Sequence, residues 1–308
     1  MKRCSSSVLV LPTLPLNTRW NQQAITVLKE LYWPRGLAVD EDDGTVYVAD
    51  HNNHRIMATT ADNDGKTNVL VAGGNGQGSG LDQLNYPIDV LMDKETRSLI
   101  ISDRNNHRII RWSLEKGTKQ GEIMIGNIQY CFGLAIDDEG ALYVSSTSTH
   151  NVRRFPRGDK TGTVVAGGNE HGSGLHEFYN PYYIAVDGEG TLYVSDNSNH
   201  RVMKWSKGAT QGVVVAGHGG EGNAPTQLSY PEGVLVDTDG TVYVAEARND
   251  RVTRWQKGAM KGELVVGGDG RGSQANQFHC PVGMSFDNHG HLFVADYYNN
   301  RVQRFSIA

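Results

Sequence analysis

Cysteine is scarce in this chain. Three residues (Cys4, Cys131 and Cys280) among 308 cannot build a disulfide framework, and no C-x-x-C spacing is present to suggest a zinc site. No Asn-x-Ser/Thr sequon occurs, and the two absences together favour a soluble cytoplasmic protein over a secreted one. Long apolar runs are missing too. The stretch from Val8 to Leu16 is cut by Pro12 and Pro15 and falls well short of the roughly 20 residues of a spanning helix, so no membrane insertion is expected. Lys2 and Arg3 precede it, but the prolines and the lack of a small-residue cleavage site argue against a signal peptide. There is no excess of positive charge: the net charge of −5 lacks the electrostatic footprint of a nucleic-acid binder. No G-x-S-x-G or H-E-x-x-H motif supplies a nucleophile or a metal helix.

Glycine, by contrast, is abundant. The 37 glycines make up about 12% of the chain, against roughly 7% in ordinary globular proteins. With 38% apolar and 20% charged residues, the excess points to many turns in a folded β protein rather than to disorder.

Self-similarity organises the rest. The segments Tyr47–Asp50, Ile100–Asp103, Tyr143–Ser146, Tyr193–Asp196, Tyr243–Glu246 and Phe293–Asp296 recur at offsets of 53, 43, 50, 50 and 50 residues. Nine or ten residues before the end of each lies an Asp kept in every copy: Asp40, Asp93, Asp137, Asp187, Asp237 and Asp287. Each unit reads as four short strands rich in Val, Ile and Tyr between Gly/Asp/Asn turns. Four-stranded units at this period mark a β-propeller. The sixth unit stops after its third strand, while an unassigned strand-like run, Ala24–Leu28, stands upstream of the first. Pairing these closes the ring and leaves no open edge. The expectation is an all-β protein: a tail over 1–23 and one propeller domain over 24–308. Its six four-stranded antiparallel blades fall near 32–73, 86–126, 130–168, 181–217, 231–268 and 281–308, the last completed by 24–30.

The repeats resemble the NHL repeat. Its pattern stands here as Pro34-Arg-Gly-Leu-Ala-Val-Asp40 followed by Val46-Tyr-Val-Ala-Asp-His-Asn-Asn-His-Arg-Ile56. The resemblance implies a six-bladed propeller over about 24–308. It is consistent with several activities, among them peptide-amidating lyases, protein- or RNA-binding modules and sensor domains, so the fold does not choose the function.

A repeat separates scaffold from site, because a residue kept in every blade serves every blade. Five residues after each acid comes an Arg, giving the pairs Asp50 and Arg55, Asp103 and Arg108, Asp196 and Arg201, Glu246 and Arg251, Asp296 and Arg301. Blade three loses both partners, with Ser146 and Asn151 in their places, as a paired carboxylate and guanidinium would. These are read as structural clamps. His54, His107, His150 and His200 occupy one equivalent position; they fan round the ring instead of converging on a metal, and are read as loop packing. The glycine-rich runs near Gly74, Gly168, Gly217 and Gly268 lead to strands, not to a Rossmann helix, and are read as inter-blade crossovers.

Candidate site residues are those that vary. Strand parity puts the second-to-third-strand loops and the crossovers on one face. Its mouth is lined by the residue after each inner-strand proline or its equivalent and by the first loop residues. Trp33, Arg35, His51, Asp89, Arg104, Tyr130, Phe132, Tyr182, Glu232 and Tyr297 form the candidate ligand set. This mixture of aromatics, arginines and carboxylates suits a protein or peptide partner, or a small polar ligand. No residue is assigned a catalytic or metal-binding role, no cofactor is expected, and the chain is expected to be a monomeric binding scaffold. A metal-dependent lyase or lactonase-like hydrolase at the channel mouth, and an RNA-binding module, are the alternatives.

Overall fold

The structure is a computed structural model and describes residues 14, 15, 17–60, 68–168 and 170–308. Among these residues are six four-stranded antiparallel sheets. The inner strands are Pro34–Val39, Pro87–Asp93, Cys131–Ile136, Pro181–Val186, Pro231–Val236 and Pro281–Phe286, and they surround a central channel. Second strands such as Leu192–Asp196 are buried along their whole length, because neighbouring blades cover both their faces. Fourth strands such as Thr163–Gly167 begin exposed. No helix among the described residues is long and apolar enough to cross a membrane.

The ring closes as the sequence predicts. Ile25–Leu28 pairs antiparallel with Arg301–Phe305 and becomes the fourth strand of the blade begun by Pro281–Phe286. Trp20 seals the seam. Its indole N–H donates to Gly290 O at 2.9 Å, and its ring stacks on Phe286 and meets Tyr243 edge-on. Most of the expected 1–23 tail lies outside the described residues, but Leu14 and Trp20 are buried in the core.

The repeated polar residues each have a local cause. The Asp kept in all six copies accepts the backbone N–H two residues on, from Asp40 Oδ1 with Asp42 N at 3.0 Å to Asp287 Oδ1 with His289 N at 2.9 Å. That fixes the turn between first and second strands. The histidine series does more than pack. His54, His107, His150 and His200 accept, at Nδ1, a backbone N–H from the start of the next blade, at 3.1–3.5 Å. Asp250 and Asn300 do the same through side-chain oxygens at 2.9 and 3.0 Å.

The five acid–arginine pairs are ion pairs with Nε-to-carboxylate distances of 2.7–2.8 Å, and the acid side chains are fully buried. Their reach is wider than one loop. Arg201 also donates to the carbonyls of Ser173, Gly174 and Glu177, and Arg108 to those of Ser79, Gly80 and Gln83. The guanidinium therefore ties down the glycine-rich crossover that leads into its own blade. Blade three is reached by a short connection after Ile125, so Asn151 has no such loop to hold. A short connection permits the joint loss without requiring it, since blade one, also reached by a short connection, keeps Asp50 and Arg55.

Candidate functional site

Backbone register builds the mouth. In every blade the inner strand pairs through its first residue, then slips register before the fourth. Two residues per blade are thus released from the ladder at the channel's end, the usual use of a bulge to re-aim side chains. The first of each pair is Arg35, Ile88, Phe132, Tyr182, Glu232 or Val282. The second is Gly in four blades, Asp89 in blade two and Tyr183 in blade four. A Cβ on Gly36 would lie 2.0 Å from Asp89 Oδ1, and one on Gly133 would lie 2.7 Å from Tyr183 Cα. Glycine in one blade makes room for the larger residue of the next.

Arg35 is the centre of the cluster. Its guanidinium lies 4.6 Å from the centroid of Tyr297 and 5.7 Å from that of Phe132, with Glu232 Oε2 at 3.6 Å from Nη1. Phe132 stacks on Tyr182 at 4.1 Å with 10° between the planes, and Trp33 stacks on Tyr297 at 5.5 Å. No described acceptor forms a well-shaped hydrogen bond with buried Nε or Nη1 of Arg35, nor does a donor reach Glu232 Oε2. Burial opposes the Arg35 charge, but Glu232 and the surrounding tyrosines outweigh it and raise its pKa. Burial pushes the Glu232 carboxyl up to about 7, and Arg35 pulls it back.

The other candidates sit at different depths. His51 is buried, and its Nδ1 meets Pro87 O of the next blade at 3.0 Å, so that nitrogen carries the proton. Burial, then Arg35, lower the His51 pKa to about 3, and the imidazole stays neutral. Arg104 and Tyr130 form a separate cation–π pair at 5.2 Å on the rim, with Tyr130 exposed. Asp89 belongs below the mouth. It accepts Leu134 N–H at 2.9 Å and Val90 N–H at 3.0 Å, and burial pushes its carboxyl up to about 7 against those two bonds.

Asp89 and Tyr183 together divide the channel. Beneath them is a cavity of about 110 Å³ whose lining includes Leu91, Leu134, Ile184, Val234, Leu235 and Met284, but none of Arg35, Phe132, Tyr182 or Glu232. In the sequence Tyr183 stands out at the mouth beside Asp89 as a departure from the repeated glycine, but neither its place in a roof nor the lumen beneath is visible there. Among the described residues no three His, Cys, Asp or Glu side chains converge at metal-binding distance. Arg35 beside Glu232 also places a cation where an axial metal would need a donor. An axial metal does not fit this mouth.

A family model described as the NHL repeat matches residues 31–57 and 278–305, the two blades that meet at the seam. No curated protein sequence matches the chain. Among solved structures, an auxiliary nutrient binding protein from Bacteroides thetaiotaomicron is similar over 98% of this chain and 76% of that one, at 16% identity and a TM-score of 0.67. A gluconolactonase from Xanthomonas campestris is similar over 99% of both chains, at 14% identity and a TM-score of 0.67. Virginiamycin B lyase from Staphylococcus aureus is similar over 93% of this chain and 99% of that one, at 14% identity and a TM-score of 0.59. At such identities the likeness is one of fold. With the family model matched on both sides of the seam and the same Asp turn and inter-blade acceptor in all six blades, the chain is an NHL-repeat six-bladed β-propeller.

Proposed function

We propose that the protein is a binding propeller whose loop-rich face takes a peptide segment of a partner protein at the Arg35 mouth. One observation carries this reading. A guanidinium is held between aromatic faces, beside a buried carboxylate, and its buried Nε and Nη1 form no well-shaped hydrogen bond among the described residues. Buried donors and acceptors left in this state are expected to find partners. Peptide carbonyls and amides supply both, and the Phe132–Tyr182 stack and Trp33 offer the flat apolar contact typical of recognition anchors. Of the structural neighbours, one is a nutrient binding protein, which is compatible with a binding role on this fold.

The test is selection from a random peptide library against the wild-type protein. Enriched peptides are then measured against Arg35→Ala and Tyr297→Ala. Loss of at least about tenfold in affinity, as expected for interface anchors, with unchanged melting temperature supports the mouth. Peptides that bind the variants as tightly as the wild type sink it.

A second reading rests on Glu232. A carboxyl pushed up to about 7 is matched to proton transfer at neutral pH, and two of the structural neighbours are a gluconolactonase and a virginiamycin B lyase. Turnover of a lactone or cyclic ester that disappears in Glu232→Gln would favour this reading over binding alone.

A further inference from the structure

The lumen below the mouth has a chemistry of its own. Its walls come from all six inner strands and are apolar except near the roof and at Ser285. Asp89 is its one ionisable carboxyl or amine group, and the residue is 6% exposed. Asp89 accepts one backbone N–H on each oxygen, while a carboxylate has about four lone-pair sites. Among the described residues no cation pairs with it; Arg35 is turned to Glu232 on the other side of the roof. The position is also special in sequence, since the same place is glycine in four of the six blades. An apolar cavity with a buried, uncompensated carboxylate in its roof is complementary to a compact apolar body carrying one ammonium group.

We propose that the channel lumen is a second ligand site, distinct from the Arg35 mouth, which takes a small apolar primary amine with its ammonium group against Asp89 and its hydrocarbon part along Leu134, Ile184, Val234 and Met284. The cavity of about 110 Å³ is somewhat smaller than the roughly 150 Å³ apolar cavities that hold a benzene ring. It therefore suits a single ring or a short chain, with part of the ligand towards the open end. The amine must be unhindered, because Asp89 is flanked by Gly36 and Tyr183. The ligand supplies the cation that the chain itself withholds from this carboxyl.

Calorimetric titration with benzylamine and with benzyl alcohol tests this at pH 8, where the amine is protonated and Asp89, near 7, is ionised. The two probes share a shape and differ in charge. Benzylamine is expected to bind once per chain, with benzyl alcohol at least about tenfold weaker, as for other buried charge pairs. Asp89→Asn should erase the difference between them. Met284→Trp, which fills the lumen, should abolish both, and Glu232→Gln should leave benzylamine binding in place. Equal binding of alcohol and amine by the wild type overturns the proposal, as does loss of benzylamine binding in Glu232→Gln but not in Asp89→Asn, and so does no binding of either probe. The wild-type comparison needs no variant, so a failure of Asp89→Asn to fold does not rescue the idea.

Discussion

The imidazole Nδ1 of His54 accepts the backbone N–H of Tyr86 at 3.1 Å, and both residues are left-handed, at φ 55° and 54°. His, Asp and Asn are the residue types that tolerate this conformation and also carry an acceptor. That is why His54, His107, His150, His200, Asp250 and Asn300 can exchange at one position. The donor is the residue just before an inner strand, which has no ladder partner there. Each bond therefore joins one blade to the next at the edge of the mouth.

The acceptor role sets an acid limit on stability. A histidine accepts at Nδ1 only while neutral, with its proton on Nε2. Burial lowers the pKa of His54, His150 and His200 below the ordinary 6.5. The unfolded chain therefore binds more protons at these sites, and their contribution to stability, present above about pH 6.5, is lost as pH falls. Raised carboxyls such as Glu232 act in the opposite sense, so comparison with a variant is needed. His54→Asn with His150→Asn and His200→Asn copies blade six. By urea denaturation it should lie within about 1 kcal/mol per bond of wild type at pH 7.5, and it should lose less stability than wild type by pH 5.5. Parallel curves would sink the assignment.

The fold was legible because repeats over-determine it. The Asp turn, the tetrapeptide strands and the missing fourth strand of the last unit each pointed to a closed ring, and Ile25–Leu28 pairs where that count required. The mouth was half legible. Variable positions such as Arg35, Phe132 and Tyr297 could be named, because departures from a repeat show in the sequence. Their depth could not, because it depends on the register slip between, for example, Pro34 and Leu37. That slip is why Asp89 faces a lumen while Glu232 faces Arg35. The histidine bonds were invisible for a related reason: the partner is a backbone N–H about 30 residues away, which no side-chain pattern reports.

The clamp should show strong coupling. Arg201 Nε lies 2.7 Å from fully buried Asp196 Oδ2, and the rest of the guanidinium holds the loop at 173–177. Arg201→Ala strands a buried carboxylate and is expected to cost about 3–5 kcal/mol. It should also open that loop to limited proteolysis. Asp196→Ser in the Arg201→Asn background copies blade three and should be less destabilising than the sum of the two single changes. Additive losses in the cycle would show that the pair is not a unit.

Closure predicts a consequence for the seam. Trp20 is 3% exposed and bridges Gly290, Phe286 and Tyr243. Trp20→Ala is expected to cost about 3–5 kcal/mol, as for other large buried aromatics. A chain begun at Lys29 lacks Ile25–Leu28 and leaves Arg301–Phe305 as an open edge, a template for aggregation. Light scattering and thermal melting should report both losses. A truncated chain that stays monomeric with an unchanged melting temperature would contradict the role of the closing strand.

The mouth itself has a pH signature that depends on its one ion pair. Glu232 is pushed up to about 7 by burial, and Arg35 is the charge that holds it from rising further. Removing Arg35 therefore raises the Glu232 pKa. A carboxyl whose folded pKa lies above the ordinary 4.3 or so contributes stability below that value and loses it as pH rises through the folded pKa. Near pH 6 the stranded Glu232 of Arg35→Ala takes up a proton and its burial is tolerated. Near pH 8.5 it must either keep its proton against the solution pH or ionise without a partner, and the penalty approaches the roughly 3–5 kcal/mol of a broken buried pair. Lost contact between Arg35 and Tyr297 is common to both conditions, and Asp89 titrates in wild type and variant alike. The expected result in urea denaturation is an Arg35→Ala penalty that grows from pH 6 to 8.5. Adding Glu232→Gln should flatten that growth. A penalty that is equal at both pH values, or larger at pH 6, would mean that Glu232 does not depend on Arg35.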